Sequence, residues 1–479
     1  MKSLWSDAEA AQFAGPLGPR VYTSRLLGRD KSLVLHGGGN TSVKLREKNL
    51  FGEEEDVLYV KGSGWDLETI EPAGFSPVAL GYVRRLAGLP TLPDPQMVNE
   101  LNTHMLRAGA PSPSVETILH AILPHKYVDH THADAVLSVS NAPEGEKRIR
   151  EIYGDKVVVI PYIMAGFDLA AYCAREFPKQ AGPRTVGMVL LSHGIFSFGA
   201  DARESYELMI ELVSMAEEYL RKKQAWHVAP SVKSAPALKR EEIAQLRRAI
   251  SDQAGVPMVL RVNDSDKFVG FAQRPDLEKL ALQGPATPDH VIRTKPFPML
   301  GRDVAGYAKK YRDYFERLSA KAKEKKTMLD TAPRMALDPQ LGFVAAGRTA
   351  RDTLIVEDLY DHTIDVILRE RSLRPEVERV HDGPADAGMA QAGAADYADC
   401  IGVHYNEGIV PPTATGGDPR ALPPIKGHAK LAHHIAACLV ADVILPGMTG
   451  MSLLETMQRT HCDIPVVLMT AYSRPLGAT

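Results

Sequence analysis

The chain of 479 residues is predicted to be an α/β protein, with two α/β regions followed by an irregular tail. Three observations carry this. Apolar runs short enough for strands alternate with stretches of helical spacing from about residue 20 to 225. A Pro- and Ala-containing stretch, WHVAPSVKSAPA, interrupts that alternation before it resumes and continues to about residue 372. Beyond it, HDGPADAGMAQAGAADYADC and PPTATGGDPRALPP are rich in Ala, Gly and Pro and lack periodicity, which suits a connection better than a packed core.

In the first region SLVLHG, DVLYVKG, DAVLSVS, KVVVIPYI and VGMVLLSHG are expected to be strands. PQMVNELNTHMLRAG is expected to be a helix opening after Pro95, and SVETILHAILPHK a second, with Ser114 as its N-cap. Residues 201–224 form the clearest helix, acidic early and basic late, as the helix macrodipole favours. In the second region KREEIAQLRRAISD is expected to be helical and PMVLRVNDSDKFVGFAQ to form two strands around a polar turn. The expected organisation is a first α/β domain over 1–229, a second α/β region over 230–372, a low-order linker over 373–439 and a short fragment over 440–479.

Composition narrows the function. With 44% hydrophobic and 24% charged residues and a net charge of −3, the chain has no electrostatic footprint for nucleic acid. The opening residues lack a signal-type apolar core and no stretch reaches membrane-spanning length, so a cytoplasmic protein without membrane attachment is expected. Cys173, Cys400, Cys438 and Cys462 lie far apart and form no CxxC pair, so any metal would be held by His and carboxylate.

One constellation suggests such a metal. VDHTHADAVLSV places His130 and His132 two apart on an expected strand, where side chains at i and i+2 share a face. His193 stands where the apolar run VLLSHG ends, and three imidazoles would leave a coordination position open to water or substrate. An isolated HxH pair is more often two partly exposed side chains. Glu116, 14 residues before His130, fits either a proton-moving carboxylate or an acid at a helix start.

Four ordered blocks, LHGGGNTSVK, VKGSGWDL, SVETILHAILPHKYVDHTHADAVL and LLSHGIFSFG, resemble the class II aldolase/adducin family. The resemblance is strongest to the aldolase part of rhamnulose-1-phosphate aldolase/short-chain dehydrogenase fusion proteins. It continues through GPATPDHVIRTKPFP and LGFVAAGR, and so spans about residues 15–372. It implies a three-layer domain with a central, mostly antiparallel sheet. It further implies a divalent ion, usually zinc, held by His130, His132 and His193, with Glu116 as the catalytic acid/base. The phosphate of a sugar phosphate would bind at Asn40, Thr41, Ser63, Gly64 and Ser114, where Gly39 and Gly64 allow close backbone approach. Val115 stands where such aldolases commonly carry Ser, and Lys61 and Trp65 are the candidate replacements for that donor.

The reaction implied is cleavage of a ketose 1-phosphate, of the rhamnulose-1-phosphate kind, to dihydroxyacetone phosphate and a small aldehyde through a zinc-stabilised enediolate. Asn40 would hydrogen-bond the enediolate oxygens and Glu116 would protonate its carbon. A sugar-phosphate epimerase, a decarboxylase or dehydratase of the same superfamily, and a non-catalytic adducin-like interaction module are the alternatives. A homo-oligomeric ring of four is implied as well. No dinucleotide cofactor is expected, because HGGGN runs into the strand pattern TSVKL and no strand–GxxxGxG–helix pattern follows residue 372. Within 440–479, ADVILPGMTGMSLLETMQRTHCDIPVVLMTA resembles the middle of a response-regulator receiver domain, with Asp442 at the phosphoacceptor position and Thr470 at the switch position. The acidic pair and the Lys that a working receiver needs are not recognisable, so Asp442 is expected to be inert.

Overall fold

The computed structural model describes residues 1–227, 240–320, 322 and 326–374, together with four short strands further on. In the first region these are α1 (Asp7–Ala10), α2 (Gly18–Arg29), β1 (Asn40–Lys48), β2 (Glu54–Lys61), β3 (Phe75–Ala79), α3 (Leu80–Leu86), α4 (Asp94–Thr103) and α5 (Thr117–Ile122). They continue with β4 (Tyr127–Thr131), α6 (Asp134–Ser140), α7 (Gly145–Tyr153), β5 (Val157–Ile160), α8 (Phe167–Gln180), β6 (Gly187–Leu190), β7 (Gly194–Gly199) and α9 (Ala202–Lys222). The second region contains α10 (Arg240–Ala254), β8 (Val259–Asn263), α11 (Asp266–Ala272), α12 (Leu277–Ala281), α13 (Asp289–Arg293), β9 (Met299–Leu300), α14 (Val304–Ser319), β10 (Met335–Asp338), β11 (Gly342–Gly347) and α15 (Ala350–Ser372).

The seven strands of the first region form one sheet in the order β3-β2-β1-β4-β7-β6-β5. Every pairing is antiparallel except β5 with β6. Strand residues alternate between two cores. Val43, Val57, Tyr59 and Ile195 face α2, α6, α7 and α9, while Leu58, Val60, Val128 and Phe196 face α3, α4, α5 and α8. The three-layer, mostly antiparallel architecture is therefore the one expected.

A second sheet, β8-β11-β10-β9, has the same layering. Leu337 and Phe343 pack under α11, α12 and α15, and Ala336 and Val344 face α10 and α14. Thr349 and Asp352 close a capping box that starts α15, and Asp201 accepts the Glu204 N–H at the start of α9 at 2.9 Å.

Three expected strands are corrected. DAVLSVS is helix α6, buried along its whole length between the sheet and α15, and a fully buried helix shows no periodicity that separates it from a buried strand. SLVLHG is a series of turns. There Leu33 and Val34 enter the first core and Leu35 meets Ile355 and Leu359 of α15, so burial on different partners imitates a strand's apolar run. The second half of PMVLRVNDSDKFVGFAQ is α11, not a strand, with Phe268 and Phe271 buried. The helix expected to be capped by Ser114 begins only at Thr117.

Helix α15 joins the two regions. Leu137 of α6 packs with Ala286 and Val366, and Asp358 accepts hydrogen bonds from Lys31 Nζ at 2.9 Å and His36 Nε2 at 2.7 Å. Burial works against the Asp358 charge, but these two partners outweigh it and hold the carboxyl down at about 2. A carboxyl depressed on folding stabilises the native state above its unfolded pKa and loses that contribution as pH falls through the folded value. Asp358→Asn is therefore expected to cost about 1 kcal/mol at pH 7, a modest figure because the pair is partly solvated. Thermal unfolding at stepped pH checks this: the gap to wild type should close as pH falls from about 4 towards 2.

The stretches 228–239 and 375–438, where linkers are expected, lie outside the described residues. A separate unit covers Thr413–Thr479. Of its expected receiver-like fragment the described residues are strands alone: β12 (Leu439–Asp442), β13 (Ile444–Leu445), β14 (Met448–Thr449) and β15 (Val466–Met469). The first pairs in parallel with the last, and β13 pairs antiparallel with β14. Thr470 and the Asp442 side chain lie outside the described residues. Among those residues no helix is long and apolar enough to cross a membrane.

Candidate metal centre

The site forms where β1, β4 and the β6–β7 turn meet. Antiparallel pairing sets Thr131 opposite Ile195, which brings His130 at the end of β4, His132 just beyond it and His193 in the turn before β7 to one place. Each offers a ring nitrogen, and these atoms lie within 4.8 Å of one another, all three residues being buried. The turn can nest there only because position 194 is glycine. A Cβ would stand 2.4 Å from the Thr131 carbonyl oxygen and 3.0 Å from His130 Cε1.

Hydrogen bonds set the tautomers. His130 Nδ1 donates to the Ile195 carbonyl at 3.1 Å and His132 Nδ1 to Asp289 Oδ1 at 2.9 Å. The Nε2 atoms of His130 and His132 are left buried without a hydrogen-bond partner, and Glu116 Oε1 shares that condition. Buried polar atoms normally find partners, so three such atoms around one point are suited to a bound group. Two outward-held imidazoles with inward lone pairs suit a divalent cation, and the site residues fit one.

Glu116 sits just before α5, with Oε1 3.3 Å from His193 Nε2 and Oε2 3.5 Å from His130 Nε2. Asn40 Nδ2 donates to its Oε2 at 2.6 Å and to Ser114 Oγ at 3.1 Å. Behind Asn40, His120 Nε2 donates to Asn40 Oδ1, and Ser42 Oγ donates to His120 Nδ1 at 2.8 Å. Burial holds His120 and His130 well below the usual histidine range and brings His193 to about 3. All three are neutral at pH 7, the form that a metal or a hydrogen-bond relay uses. Burial opposes charge on His132 also, but the Asp289 carboxylate, by charge and hydrogen bond, together with Glu116, raises it. A cation at the centre would replace that proton.

Lys61, wholly buried at the end of β2, donates to the Gly37 carbonyl at 2.8 Å. Burial pulls it down to about 8, with Asp66, Asp289 and Glu116 acting against the fall and Arg293 adding to it. Arg293 Nε is buried and without a partner.

Residues 20–220 match the family described as Class II Aldolase and Adducin N-terminal domain, and residues 237–374 match Aldolase class II, second domain. Through these two domains the chain belongs to the class II aldolase superfamily. A protein of Bacillus subtilis (strain 168) named uncharacterized oxidoreductase YuxG is 32% identical over 395 residues, which is 77% of this chain and 56% of that protein. The chain thus spans little more than half the length of that curated relative. Among solved structures, the N-terminal class II aldolase domain of a conserved protein from Thermoplasma acidophilum is 41% identical, covering 46% of this chain and all of that one (100%), with a TM-score of 0.43. An L-fuculose-1-phosphate aldolase from Thermus thermophilus is 18% identical, covering 43% of this chain and 96% of that one, with a TM-score of 0.28. Class II aldolases typically use a divalent metal, and this chain's buried His130, His132 and His193 could hold one.

Within this chain of the class II aldolase superfamily the expected site residues divide. Asn40, Ser114 and Glu116 are joined by hydrogen bonds beside the three histidines. Ser63 and Gly64 lie in the loop next to Ser114, tied to it where Ser63 N donates to the Ser112 carbonyl at 2.8 Å and Ser114 N to the Lys61 carbonyl at 3.2 Å. Thr41 is a correction. It follows Asn40 on β1, so its side chain leaves the opposite face, fully buried, with Oγ1 2.8 Å from Ser24 Oγ of α2. Trp65 packs against the first core and is no replacement donor, whereas Lys61 stands beside the site.

Three residues are additions to the sequence reading. His120 holds the Asn40 amide, and Asp289 and Arg293 arrive from the second region. The local sequence around Asp289 offers only an acid after Pro288, which fits an ordinary helix start.

Proposed function

We propose that the protein is a metal-dependent class II aldolase that cleaves a ketose 1-phosphate of the rhamnulose-1-phosphate kind to dihydroxyacetone phosphate and a small aldehyde. The observation that carries this reading is the meeting of His130, His132 and His193 within 4.8 Å, with a Glu116 oxygen 3.3 Å from His193 Nε2. His130, His132 and His193 would hold zinc or another divalent ion, which when bound supplies Lewis-acid polarisation of substrate oxygens.

The remaining chemistry belongs to the chain. Asn40 occupies Glu116 Oε2 and leaves Oε1 as the atom that gives and takes a proton at the substrate carbon. Because Ser42 and His120 fix the Asn40 amide from behind, its orientation is preset and costs little when substrate binds. Lys61 supplies a buried positive charge next to the loop of Ser63 and Gly64, and Ser114 supplies a hydroxyl, a donor set suited to a phosphate. Neutral histidine ligands and a cation leave the site overall receptive to an anionic substrate. A homo-oligomeric ring of four is part of the same proposal.

Metal analysis and product identification test the reading together. The purified full chain is expected to carry about one divalent ion per protomer and, given dihydroxyacetone phosphate and a panel of small aldehydes, to form ketose 1-phosphate adducts. Absence of bound metal under zinc-replete conditions would favour an adducin-like module. Bound metal with epimerisation or carbon dioxide release, and no adduct, would favour the other chemistries of the superfamily.

A further inference from the structure

We infer that Asp289, carried by α13 of the second region, is a positioning residue of the metal centre, reaching His132 through a gap that Gly38 leaves open. The inference rests on the metal reading proposed above. Asp289 and His132 are 3% and 8% exposed, and Asp289 Oδ1 lies 2.9 Å from His132 Nδ1. A hydrogen bond at Nδ1 does two things: it presents the Nε2 lone pair and it holds the ring plane. That Nε2 is the buried atom without a partner. A full negative charge behind the ring also makes its nitrogen a stronger donor to a cation.

The approach is built on both sides. A Cβ at Gly38 would stand 2.0 Å from Asp289 Oδ1 and 2.7 Å from its Cγ, so any side chain at that position would displace the carboxylate. One glycine of LHGGGNTSVK thereby admits a second-region side chain, a task separate from holding phosphate. The other side is the anchorage of α13. His290, next to Asp289 and only 2% exposed, contacts Thr294 Oγ1 at 2.8 Å through Nδ1 and Thr363 Oγ1 of α15 at 2.7 Å through Nε2. Asp289 is thus fixed to the long helix that also packs on α6, and the second region becomes a working part of the centre.

The test compares zinc affinity of the full chain, by competition with a chromogenic chelator at fixed pH, in wild type, Asp289→Ala, Asp289→Asn and Gly38→Ala. Asp289→Ala should bind zinc roughly 10- to 100-fold more weakly. Asp289→Asn should fall between the two, since its amide oxygen still accepts from Nδ1 while the charge is gone. Gly38→Ala should weaken binding in the same direction without altering any ligand or its partner. Thermal unfolding of each metal-free variant shows whether it is folded, and recovery by Asn at equal stability separates positioning from general damage. Unchanged affinity in Asp289→Ala overturns this inference alone. A wild-type chain that binds no divalent ion overturns the functional reading and this inference with it.

Discussion

Glu116→Gln is expected to reduce turnover by about 10²- to 10⁴-fold while leaving zinc stoichiometry unchanged, because it removes the group that moves the proton and spares the three imidazoles. Glutamine matches glutamate in shape. Its carbonyl oxygen can still accept from Asn40 Nδ2, the bond that Oε2 accepts at 2.6 Å in the native chain, so the Asn40–His120–Ser42 relay has no cause to rearrange. What disappears is a charge whose Oε1 is buried and unpartnered 3.3 Å from His193 Nε2. Steady-state rates alongside metal content decide the matter. A variant that keeps the full aldol rate with metal bound would remove Glu116 from the chemistry. Glu116→Ala is a poorer probe, since it also leaves one buried Asn40 N–H without the acceptor it has in Glu116 Oε2.

The contrast between what the sequence discloses and what it hides follows from how far apart the interacting residues lie. His130 and His132 are legible because a strand projects i and i+2 together, and His193 because an apolar run stops at a polar residue before glycine. The same alternation argues against Thr41, adjacent to Asn40 on β1 and hence on the other face. Phosphate loops matched as whole motifs carry along residues that strand geometry sends elsewhere. Helix α6 eludes the pattern because both its sides are covered, by the sheet and by α15, which erases the polar stripe that marks a surface helix. Asp289 is hidden for a different reason. It stands 157 positions from the histidine it supports, and nothing within its own segment reports that partner. Periodicity speaks of local burial, so a contact made between two regions of one chain leaves no trace in either.

The largest effect on stability is expected on the far side of the same strand. Asp129, between Val128 and His130 on β4, is fully buried against Arg20 of α2, with Arg20 Nη2 2.5 Å from its Oδ1. Ser205 Oγ donates to Oδ2 at 2.6 Å, and Arg20 spends its other donors on Ser24 Oγ, Thr23 Oγ1 and the Ser42 carbonyl. Asp129→Ala therefore leaves a guanidinium in the core with no counter-charge, and should destabilise the fold by about 3–5 kcal/mol. The penalty reflects an abandoned charge more than the worth of the pair itself. Replacing both partners by apolar side chains, as in Arg20→Met with Asp129→Leu, should cost markedly less than the two single losses added together. Urea unfolding of the two single variants and the double variant measures the difference. If Asp129→Ala melts with the wild type, then Arg20 finds solvent or another acceptor, and the α2 layer is looser than its packing on β1 and β4 indicates. If the loss is as large as expected and the double variant recovers much of it, then α2 holds in place the two strands that carry Asn40 and His130, and the metal centre rests on that layer.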